Sequence, residues 1–240
     1  MDLGLAGRVA LVTAASKGLG RAAAEALSAE GVSVVICARG QAALDEATAA
    51  MDGDVLAIAA DVTEPDVPQQ LVDATLSEFG RLDILVANAG GPPRGRALDV
   101  DDEALERALN ANLLTSVRLV RAALPPMRER GWGRICCITS MSVKQPIPGL
   151  ALSNTARTGL WGWAKTAAGD LFDEGITLNL ACPGPHATDR VRETGSIDPG
   201  RRMGDAADFG KVVAFLCSEP ARFVSGSAVA VDGATVAGLL

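Results

Sequence analysis

The chain of 240 residues contains no tyrosine, and aromatic side chains of any kind make up only 3% of it. A core with so few rings must be built from Ala, Val, Leu and Ile, which suit close packing of helices on a sheet. Histidine occurs once, as His186, and none of the five cysteines has metal-ligand spacing, so we predict no metal site. The cysteines fall in or beside apolar runs, at Cys37, Cys136, Cys137, Cys182 and Cys217. We expect them to be reduced and mostly buried, as small apolar side chains are.

Basic residues are also in the minority. The chain has 22 Lys and Arg against 29 Asp and Glu, a formal charge of −7, which disfavours nucleic acid or an anionic membrane as the main partner. The sequence shows no basic segment followed by an apolar stretch at its start, and no apolar run long enough to span a bilayer. We therefore expect a soluble cytoplasmic protein without a signal peptide, whose partner is a small-molecule substrate.

Short β-branched runs alternate with longer Ala- and Leu-rich amphipathic stretches along the chain. The predicted strands are Val9–Thr13, Ser33–Ala38, Val55–Ala60, Ile84–Ala87, Ile135–Ser140, Thr177–Cys182 and Ala228–Val231. The predicted helices are Leu19–Ala29, Gln41–Met51, Val67–Phe79, Asp101–Arg130, Ser153–Phe172 and Ala206–Leu216. Strands that are apolar throughout indicate a parallel sheet covered on both faces. The alternation predicts one α/β domain over residues 1–240, a doubly wound parallel seven-stranded sheet of the Rossmann type.

Two segments stand out as long, polar and rich in Gly and Pro: Gly90–Asp99 and Pro183–Gly204. Both follow predicted strand ends, and ligands of such sheets bind beyond the carboxyl ends of the strands. We expect a ligand pocket formed by Gly91–Arg96, Ser142–Leu152 and a lid over residues 185–204. Four arginines near the ends of the lid would attract an anionic substrate, although acidic neighbours dilute that signal: Arg190, Arg192, Arg201 and Arg202.

A glycine-rich turn joins the first predicted strand to the first helix and reads Thr13-Ala14-Ala15-Ser16-Lys17-Gly18-Leu19-Gly20. Glycine permits positive φ angles and lets a pyrophosphate approach the backbone closely. The helix that follows offers unpaired N–H groups and a partial positive charge to that phosphate. The placement of this glycine-rich turn between a strand and a helix predicts a dinucleotide-binding loop rather than a purely structural turn.

Further motifs follow the later strands in order. Asp61-Val62 follows the third strand, Asn88-Ala89-Gly90 the fourth, and Pro183-Gly184 with Thr188 the sixth; Asn112 lies in the long helix and Asp232-Gly233 near the last strand. With Thr13, Gly18 and Gly20, this series resembles the classical short-chain dehydrogenase/reductase family across essentially the whole chain. The resemblance implies a nicotinamide cofactor, with roles assigned residue by residue. The cofactor-binding positions it implies are Thr13, Ser16, Lys17, Gly18, Leu19, Gly20, Arg39, Asp61, Val62, Asn88, Ala89, Gly90, Arg157, Pro183, Gly184 and Thr188. The family's first loop glycine is Ala14 here.

The side chain just after the second strand discriminates between NADP and NAD, and NAD binding requires an acidic residue there. This chain has Arg39 there, and Lys17 inside the phosphate loop. A forked guanidinium and an ammonium suit a 2′-phosphate. We predict NADP as the cofactor, with NAD as the alternative. A further alternative is that Lys17 and Arg39 are ordinary solvated surface cations with no role in binding.

The family resemblance also implies a catalytic Tyr, a Lys four residues later and a Ser thirteen residues earlier. Ser140 matches the serine, but Ser153 and Arg157 stand where the Tyr and Lys would be. A serine hydroxyl is far less acidic than a phenol, whose pKa is ~10, and Arg157 stays protonated at any working pH. We expect Ser140, Asn112, Ser153 and Arg157 to form an atypical catalytic site with no assigned proton donor.

Two other side chains are candidates for that proton. One is His186, because imidazole side chains in general suit acid–base work near neutral pH, but a solvent-facing loop histidine is an equal alternative. Lys144 is predicted on the pocket loop, and by default it is a solvated lysine.

These residues predict an oxidoreductase that reduces reactive carbonyls such as quinones or α-diketones, because such substrates need an acid least. Two alternatives remain: a dinucleotide-binding sensor or partner subunit without turnover, and a non-redox enzyme such as a cyclase or dehydratase. The resemblance also implies a homotetramer or homodimer through the long helices. Trp161 and Trp163 would bury well at that interface.

Overall fold

The computed structural model describes residues 1–189, 191, 200 and 202–238. Its strands are β1 (Val9–Thr13), β2 (Ser33–Ala38), β3 (Val55–Ala59), β4 (Ile84–Ala87), β5 (Gly133–Ile138), β6 (Ile176–Pro183) and β7 (Ala228–Val231). They form one seven-stranded sheet in the order β3-β2-β1-β4-β5-β6-β7. Every pairing is parallel. The predicted doubly wound α/β fold is therefore confirmed, and strand bounds differ from the predicted ones by at most two residues.

The helices among the described residues are α1 (Gly18–Ala29), α2 (Gln41–Thr48), α3 (Val67–Phe79), α4 (Asp102–Leu109), α5 (Thr115–Arg130), α6 (Ala151–Phe172) and α7 (Ala206–Leu216). The prediction of one helix over Asp101–Arg130 was wrong, because a π-helical segment, Asn110–Leu114, separates α4 from α5. Two side chains in this region compete with backbone N–H groups for the backbone carbonyls. Asn112 Nδ2 donates to the carbonyl of Ala108 at 3.4 Å, and Thr115 Oγ1 donates to that of Asn110 at 2.8 Å.

The core consists of two apolar layers, one on each face of the sheet. Successive strand residues alternate between them, since side chains along a strand point to opposite faces. In β1, for example, Leu11 packs with the layer of α3, α5 and α6, whereas Ala10 and Val12 pack with the layer of α1, α2 and α7. This arrangement explains why the strands read as continuous apolar runs. The edge strand β3 is only partly buried.

Within the described part of the chain, no helix combines the length and apolar character needed to cross a membrane. Trp161 and Trp163 lie on α6 and are partly buried against the core layer of that face. All five cysteines are buried free thiols, as the sequence predicted.

Candidate functional site

A cavity of about 870 Å³ opens along the carboxyl edge of the sheet. Its walls come from the segments that follow six of the seven strands, and from the first two turns of α6. Ala14 follows β1 and Asn88 follows β4, so the cavity crosses the point where the strand order reverses. Ligands of doubly wound sheets bind at this switch point.

The phosphate loop at one end of the cavity has an unusual backbone. Ala14 has a φ of +47° and Gly18 a φ of +58°, in the left-handed region that side chains other than glycine rarely adopt. At Gly20, an added Cβ would lie 2.5 Å from both the carbonyl oxygen of Ala14 and Asn88 Nδ2. A glycine is therefore required at position 20, whereas Ala14 adopts a strained conformation that a glycine would adopt freely.

Two side chains hold this loop against the strands. Thr13 Oγ1 donates to the carbonyl of Asn88 at 2.7 Å and accepts from its N–H at 2.9 Å. Asn88 Nδ2 donates to the carbonyl of Ala14 at 3.2 Å. Thr13 is fully buried and does not line the cavity. Its role in the structure is to join the ends of β1 and β4, which fixes where Asn88, Ala89 and Gly90 meet the loop.

The loop leads into an anion-accepting helix end. No side chain of the described residues hydrogen-bonds as the N-cap of α1, and its first turn contains no acidic residue. Uncapped N–H groups at such an end carry a partial positive charge. Lys17 and Arg39 line the cavity beside this end, and both are exposed. Across the loop, the methyl group of Thr188 would lie 3.7 Å from a Cβ at Gly18. These residues fit the phosphates of a dinucleotide.

Asp61 lies outside the lining of that cavity but close to Arg39. Its Oδ1 accepts from the backbone N–H of Thr63 at 3.0 Å and from the Thr63 hydroxyl at 2.8 Å. The backbone hydrogen bond from Thr63, together with the charge of Arg39, lowers the pKa of the Asp61 carboxyl. Asp61 is thus held ionised and oriented, and the neighbouring Val62 is buried.

Polar side chains from the segment after β5 and from α6 line the other end of the cavity. Ser140, Ser153 and Arg157 all line it. Positions 153 and 157 are one turn apart on α6 and share a face. Both are buried, with exposed fractions of 8%, and Arg157 Nη1 donates to the carbonyl of Ile138 at 3.1 Å. Ser140 Oγ accepts from the backbone N–H of Ser142 at 3.1 Å, which leaves its own hydroxyl proton as a donor.

The two other candidates for proton transfer have different surroundings. His186 lines the cavity, but its ring is 5% exposed, its Nδ1 lies 3.1 Å from the carbonyl oxygen of Gly184, and Phe209 packs edge-on at 5.2 Å between centroids. Of the two alternatives for His186, the solvent-facing ring was therefore wrong, because aromatic packing holds the ring inside the wall. Lys144 does not line the cavity, and its Nζ lies 4.6 Å from the ring centroid of Trp161.

In one wall of the cavity, backbone hydrogen bonds join the segment after β4 to the segment that leads into α6. The N–H of Gly95 donates to the carbonyl of Gly149 at 2.9 Å, and that of Ala151 donates to the carbonyl of Gly95 at 3.3 Å. Asn154 clamps both backbone groups of Ile147: its Nδ2 donates to the carbonyl at 3.0 Å and its Oδ1 accepts from the N–H at 3.3 Å. No sequence pattern predicts this clamp, since an asparagine near a helix start is common.

The cavity brings together most of the predicted site residues. Those that line it are Lys17, Gly18, Leu19, Arg39, Asn88, Ala89, Gly90, Ser140, Ser153, Arg157, Pro183, Gly184, His186 and Thr188. Those that do not are Thr13, Ser16, Gly20, Asp61, Val62 and Asn112. Asn112 is instead buried in the π-helical segment, and its Oδ1 has no hydrogen-bond partner among the described residues. Asn112 is therefore a buried residue that does not line the cavity.

Some lining residues were not predicted. Ile138, Thr139, Met141 and Thr235 line the cavity because they lie at or just after the ends of β5 and β7. The common edge of a parallel sheet was the signal that would have found them. Of the predicted lid over residues 185–204, position 190, positions 192–199 and position 201 lie outside the described residues, so Arg190, Arg192 and Arg201 do too.

Comparison with known proteins is consistent with this geometry. Residues 13–234 match the family model described as Enoyl-(Acyl carrier protein) reductase. Human dehydrogenase/reductase SDR family member 4 is 33% identical over 248 aligned residues, which cover 96% of this chain and 88% of the human protein. L-sorbose reductase from Gluconobacter frateurii, solved with NADPH and L-sorbose, is 30% identical with a TM-score of 0.93 over 100% of both chains. Levodione reductase is 28% identical, with a TM-score of 0.90 over 95% of this chain and 97% of its own.

The fold and the cavity define a doubly wound α/β protein with a ligand site at the carboxyl edge of its sheet. Within that class, the chain belongs to the short-chain dehydrogenase/reductase family of oxidoreductases.

Proposed function

We propose that this chain is an NADP-dependent reductase of reactive carbonyl compounds that works without a tyrosine. The observation that carries the proposal is that one cavity holds both Lys17 and Arg39 at the phosphate loop and Ser140, Ser153 and Arg157 at its other end. One relative supports the cofactor assignment, since L-sorbose reductase was solved with NADPH.

The cationic pair favours NADP over NAD. Arg39 follows β2, the position from which a side chain reads the ribose 2′ substituent in this fold. Its forked guanidinium suits a phosphate, and an acidic side chain there would repel one. Lys17 adds a second positive charge beside the uncapped start of α1. NADPH, when bound, supplies a hydride to the carbonyl carbon of the substrate.

The chain's own residues then deal with the charge on the substrate oxygen. The Ser140 hydroxyl donates a hydrogen bond, and the Arg157 guanidinium, held on the carbonyl of Ile138, adds a fixed positive charge in a buried setting. Neither group transfers a proton readily at neutral pH, so we assign the final proton to solvent. The buried ring of His186 is engaged by Gly184 and Phe209, which favours a structural role for it. The expected consequence is low activity on ordinary ketones, because loss of a general acid costs ~10²–10⁴-fold.

The direct test mixes the protein with NADPH or NADH and follows nicotinamide absorbance across a panel of α-diketones, quinones and simple ketones. We expect NADPH to raise the melting temperature and to be oxidised by the diketones and quinones. Stabilisation without turnover of any carbonyl would favour a binding protein or a non-redox enzyme instead. If neither dinucleotide raised the melting temperature, the cofactor assignment itself would be wrong.

Cofactor choice is tested separately by Arg39→Asp. A charge-assisted hydrogen bond contributes ~1.5–3 kcal/mol, so we expect the Kd of NADPH, measured by calorimetry, to rise roughly 10- to 100-fold. The Kd of NADH should stay within a few-fold. Arg96→Asp is the matched control, since Arg96 is exposed and does not line the cavity. Equal losses of NADPH affinity in both variants would mean that Arg39 acts only through the overall charge.

A further inference from the structure

Two backbone hydrogen bonds join the segment after β6 to the residues just before α7. The N–H of Gly204 donates to the carbonyl of Pro185 at 2.9 Å, and the N–H of Ala187 donates to the carbonyl of Gly204 at 2.9 Å. The two bonds flank His186 and form a parallel bridge between His186 and Gly204. Because Pro185, His186 and Met203 all line the cavity, the bridge fixes two parts of the cavity wall to each other.

The ring of His186 fills the space between three parts of the fold. Its Nδ1 lies 3.1 Å from the carbonyl oxygen of Gly184, and Nδ1 carries the proton of this bond because a carbonyl only accepts. The opposite edge of the ring lies against Gly204, where an added Cβ would be 2.6 Å from Cδ2 and 2.7 Å from Nε2 of His186. Phe209 of α7 packs edge-on, with 5.2 Å between ring centroids. Both ring nitrogens therefore face protein atoms, and the ring leaves room only for a glycine at position 204.

The segment that contacts this ring includes positions assigned to the cofactor. The N–H of Gly184 donates to the carbonyl of Val231 at 3.0 Å, which places Gly184 beside the end of β7. The N–H of Thr188 donates to the carbonyl of His186 at 2.8 Å, and the Thr188 methyl group lies near Gly18 of the phosphate loop. Gly184 and Thr188 both line the cavity. A change in the position of His186 would therefore move both of these wall residues.

We propose that His186 is a positioning residue for the cofactor, whose ring keeps residues 183–188 in the shape that contacts the nicotinamide dinucleotide. This inference rests on the proposed function, because the ligand is the cofactor assigned there. Removal of the ring would leave a gap between Gly184, Gly204 and Phe209 into which the wall can relax. The bound cofactor would then lose well-placed contacts with Gly184 and Thr188, although no group that transfers a proton had been removed.

A double-mutant cycle of His186→Ala and Gly204→Ala tests this packing. The Kd of NADPH is measured by calorimetry for the wild type, both single variants and the double variant. We expect His186→Ala to raise the Kd about 5- to 10-fold, through the loss of a hydrogen bond and an aromatic contact. Gly204→Ala should raise it about 10-fold, because its Cβ collides with the ring. Independent effects would multiply to about 50- to 100-fold. We expect the double variant to bind NADPH no more weakly than either single variant, since the added Cβ occupies space that the ring has left.

The control for the cycle is Gly162→Ala, because nothing lies within 4 Å of a Cβ at that position. Combined with His186→Ala, it should leave the Kd of His186→Ala unchanged. The kcat/KM for an α-diketone, measured with NADPH from about pH 6 to about pH 9, separates positioning from proton transfer. Positioning predicts an unchanged pH profile in His186→Ala and a partial recovery of kcat/KM in His186→Ala/Gly204→Ala. A proton donor at position 186 would be lost in both variants, without recovery.

Losses of affinity that multiply in the double variant, or a pH profile that changes in His186→Ala, would overturn the inference while the proposed function stands. A Gly204→Ala chain that folds only together with His186→Ala would support it. If the wild type binds neither NADPH nor NADH, the proposed function fails, and hydrogen exchange at the amides of Ala187, Thr188 and Gly204 decides the inference. Exchange that is faster in His186→Ala and slower again in the double variant would support the positioning role, and unchanged exchange would overturn it.

Discussion

Buried thiols are the groups whose pKa values differ most clearly from ordinary ones in this chain. Cys37 lies in β2 with its Sγ 3.6 Å from the carbonyl oxygen of Ala60, and Cys182 lies in β6 with its Sγ 3.3 Å from Thr139 Oγ1. Burial raises the pKa of each of these thiols from 9.0 to about 11, because the thiolate is poorly solvated inside the protein. Burial raises the pKa of Cys137 further still.

These shifts predict that the free energy of unfolding falls at alkaline pH. The folded pKa lies above the unfolded one, so the stabilisation is complete below about pH 9 and is lost as the pH rises towards about 11. A shift of one unit corresponds to ~1.4 kcal/mol, so each thiol contributes up to a few kcal/mol over this window. The absence of tyrosine removes the phenol ionisation that usually overlaps it. Urea unfolding at intervals from pH 8 to pH 11 measures the slope.

A Cys37→Ala/Cys182→Ala variant separates the thiols from lysine titration. It should be less stable than the wild type at pH 8, since it loses packing, but its stability should decline less steeply above pH 9. A double variant with the same slope as the wild type would mean that groups other than these two thiols set the alkaline limit.

At the scale of elements, α1 and α7 pack backbone against backbone. A Cβ at Gly210 of α7 would lie 2.2 Å from the carbonyl oxygen of Ala22 in α1, so the two backbones touch. We expect Gly210→Ala to lower the free energy of unfolding by about 1–3 kcal/mol or more, since neither backbone can yield easily. Gly162→Ala in α6 is the opposite control. It has nothing within 4 Å of its Cβ position, so it should gain about 0.5–1 kcal/mol. Denaturant unfolding of both variants checks the signs, and a free energy of unfolding that does not fall in Gly210→Ala would contradict the contact between the two backbones.

A second element-scale prediction concerns the clamp of Asn154 on Ile147, which orders a wall of the cavity. Asn154→Ala removes both hydrogen bonds, each with a net contribution of about 1 kcal/mol. We expect KM for a reduced carbonyl to rise several-fold, with the Kd of NADPH unchanged because the phosphate loop is elsewhere. Thr166→Ala, on the exposed side of the same helix, should change neither value. An unaltered KM in Asn154→Ala would show that the wall holds its shape without the clamp.

The elements also show what the sequence can and cannot predict here. Apolar runs predict the strands well, because a parallel sheet covered on both faces needs such runs, and the phosphate loop is recognisable from Gly18 and Gly20. The break between α4 and α5 was not predictable from periodicity, since Asn112 and Thr115 act through side-chain bonds within an otherwise helical pattern. Asn154 acts through its bonds to Ile147, outside its own helix, and Gly149 through a bond from Gly95, which is far from it in sequence. No helical or strand periodicity encodes these contacts.

For the molecule as a whole, the residues that determine the fold are different from those that determine the chemistry of the site. Proteins about 30% identical share the same architecture over the full chain, with a TM-score of 0.93 for L-sorbose reductase. The hydrogen bonds that hold the cavity walls together, such as those between Thr13 and Asn88 and those of Asn154 with Ile147, do not involve the side chains proposed to face the reacting oxygen. The chemistry proposed for this chain therefore depends on a few positions that are free to change without altering the fold.

Ser153→Tyr/Arg157→Lys tests that separation directly. Both positions line the cavity, so a phenol at 153 would project into open space instead of the core, and a lysine at 157 would lower its pKa by charge. With NADPH, we expect kcat/KM for an unreactive ketone such as acetophenone to rise about 10²-fold, the usual contribution of a general acid. An α-diketone should change little. Ser153→Phe/Arg157→Lys is the matched control, because it adds the ring without the hydroxyl. A gain in the Tyr variant alone would show that this scaffold lacks only the proton donor, whereas equal rates in both variants would mean that its chemistry depends on groups other than those at 153 and 157.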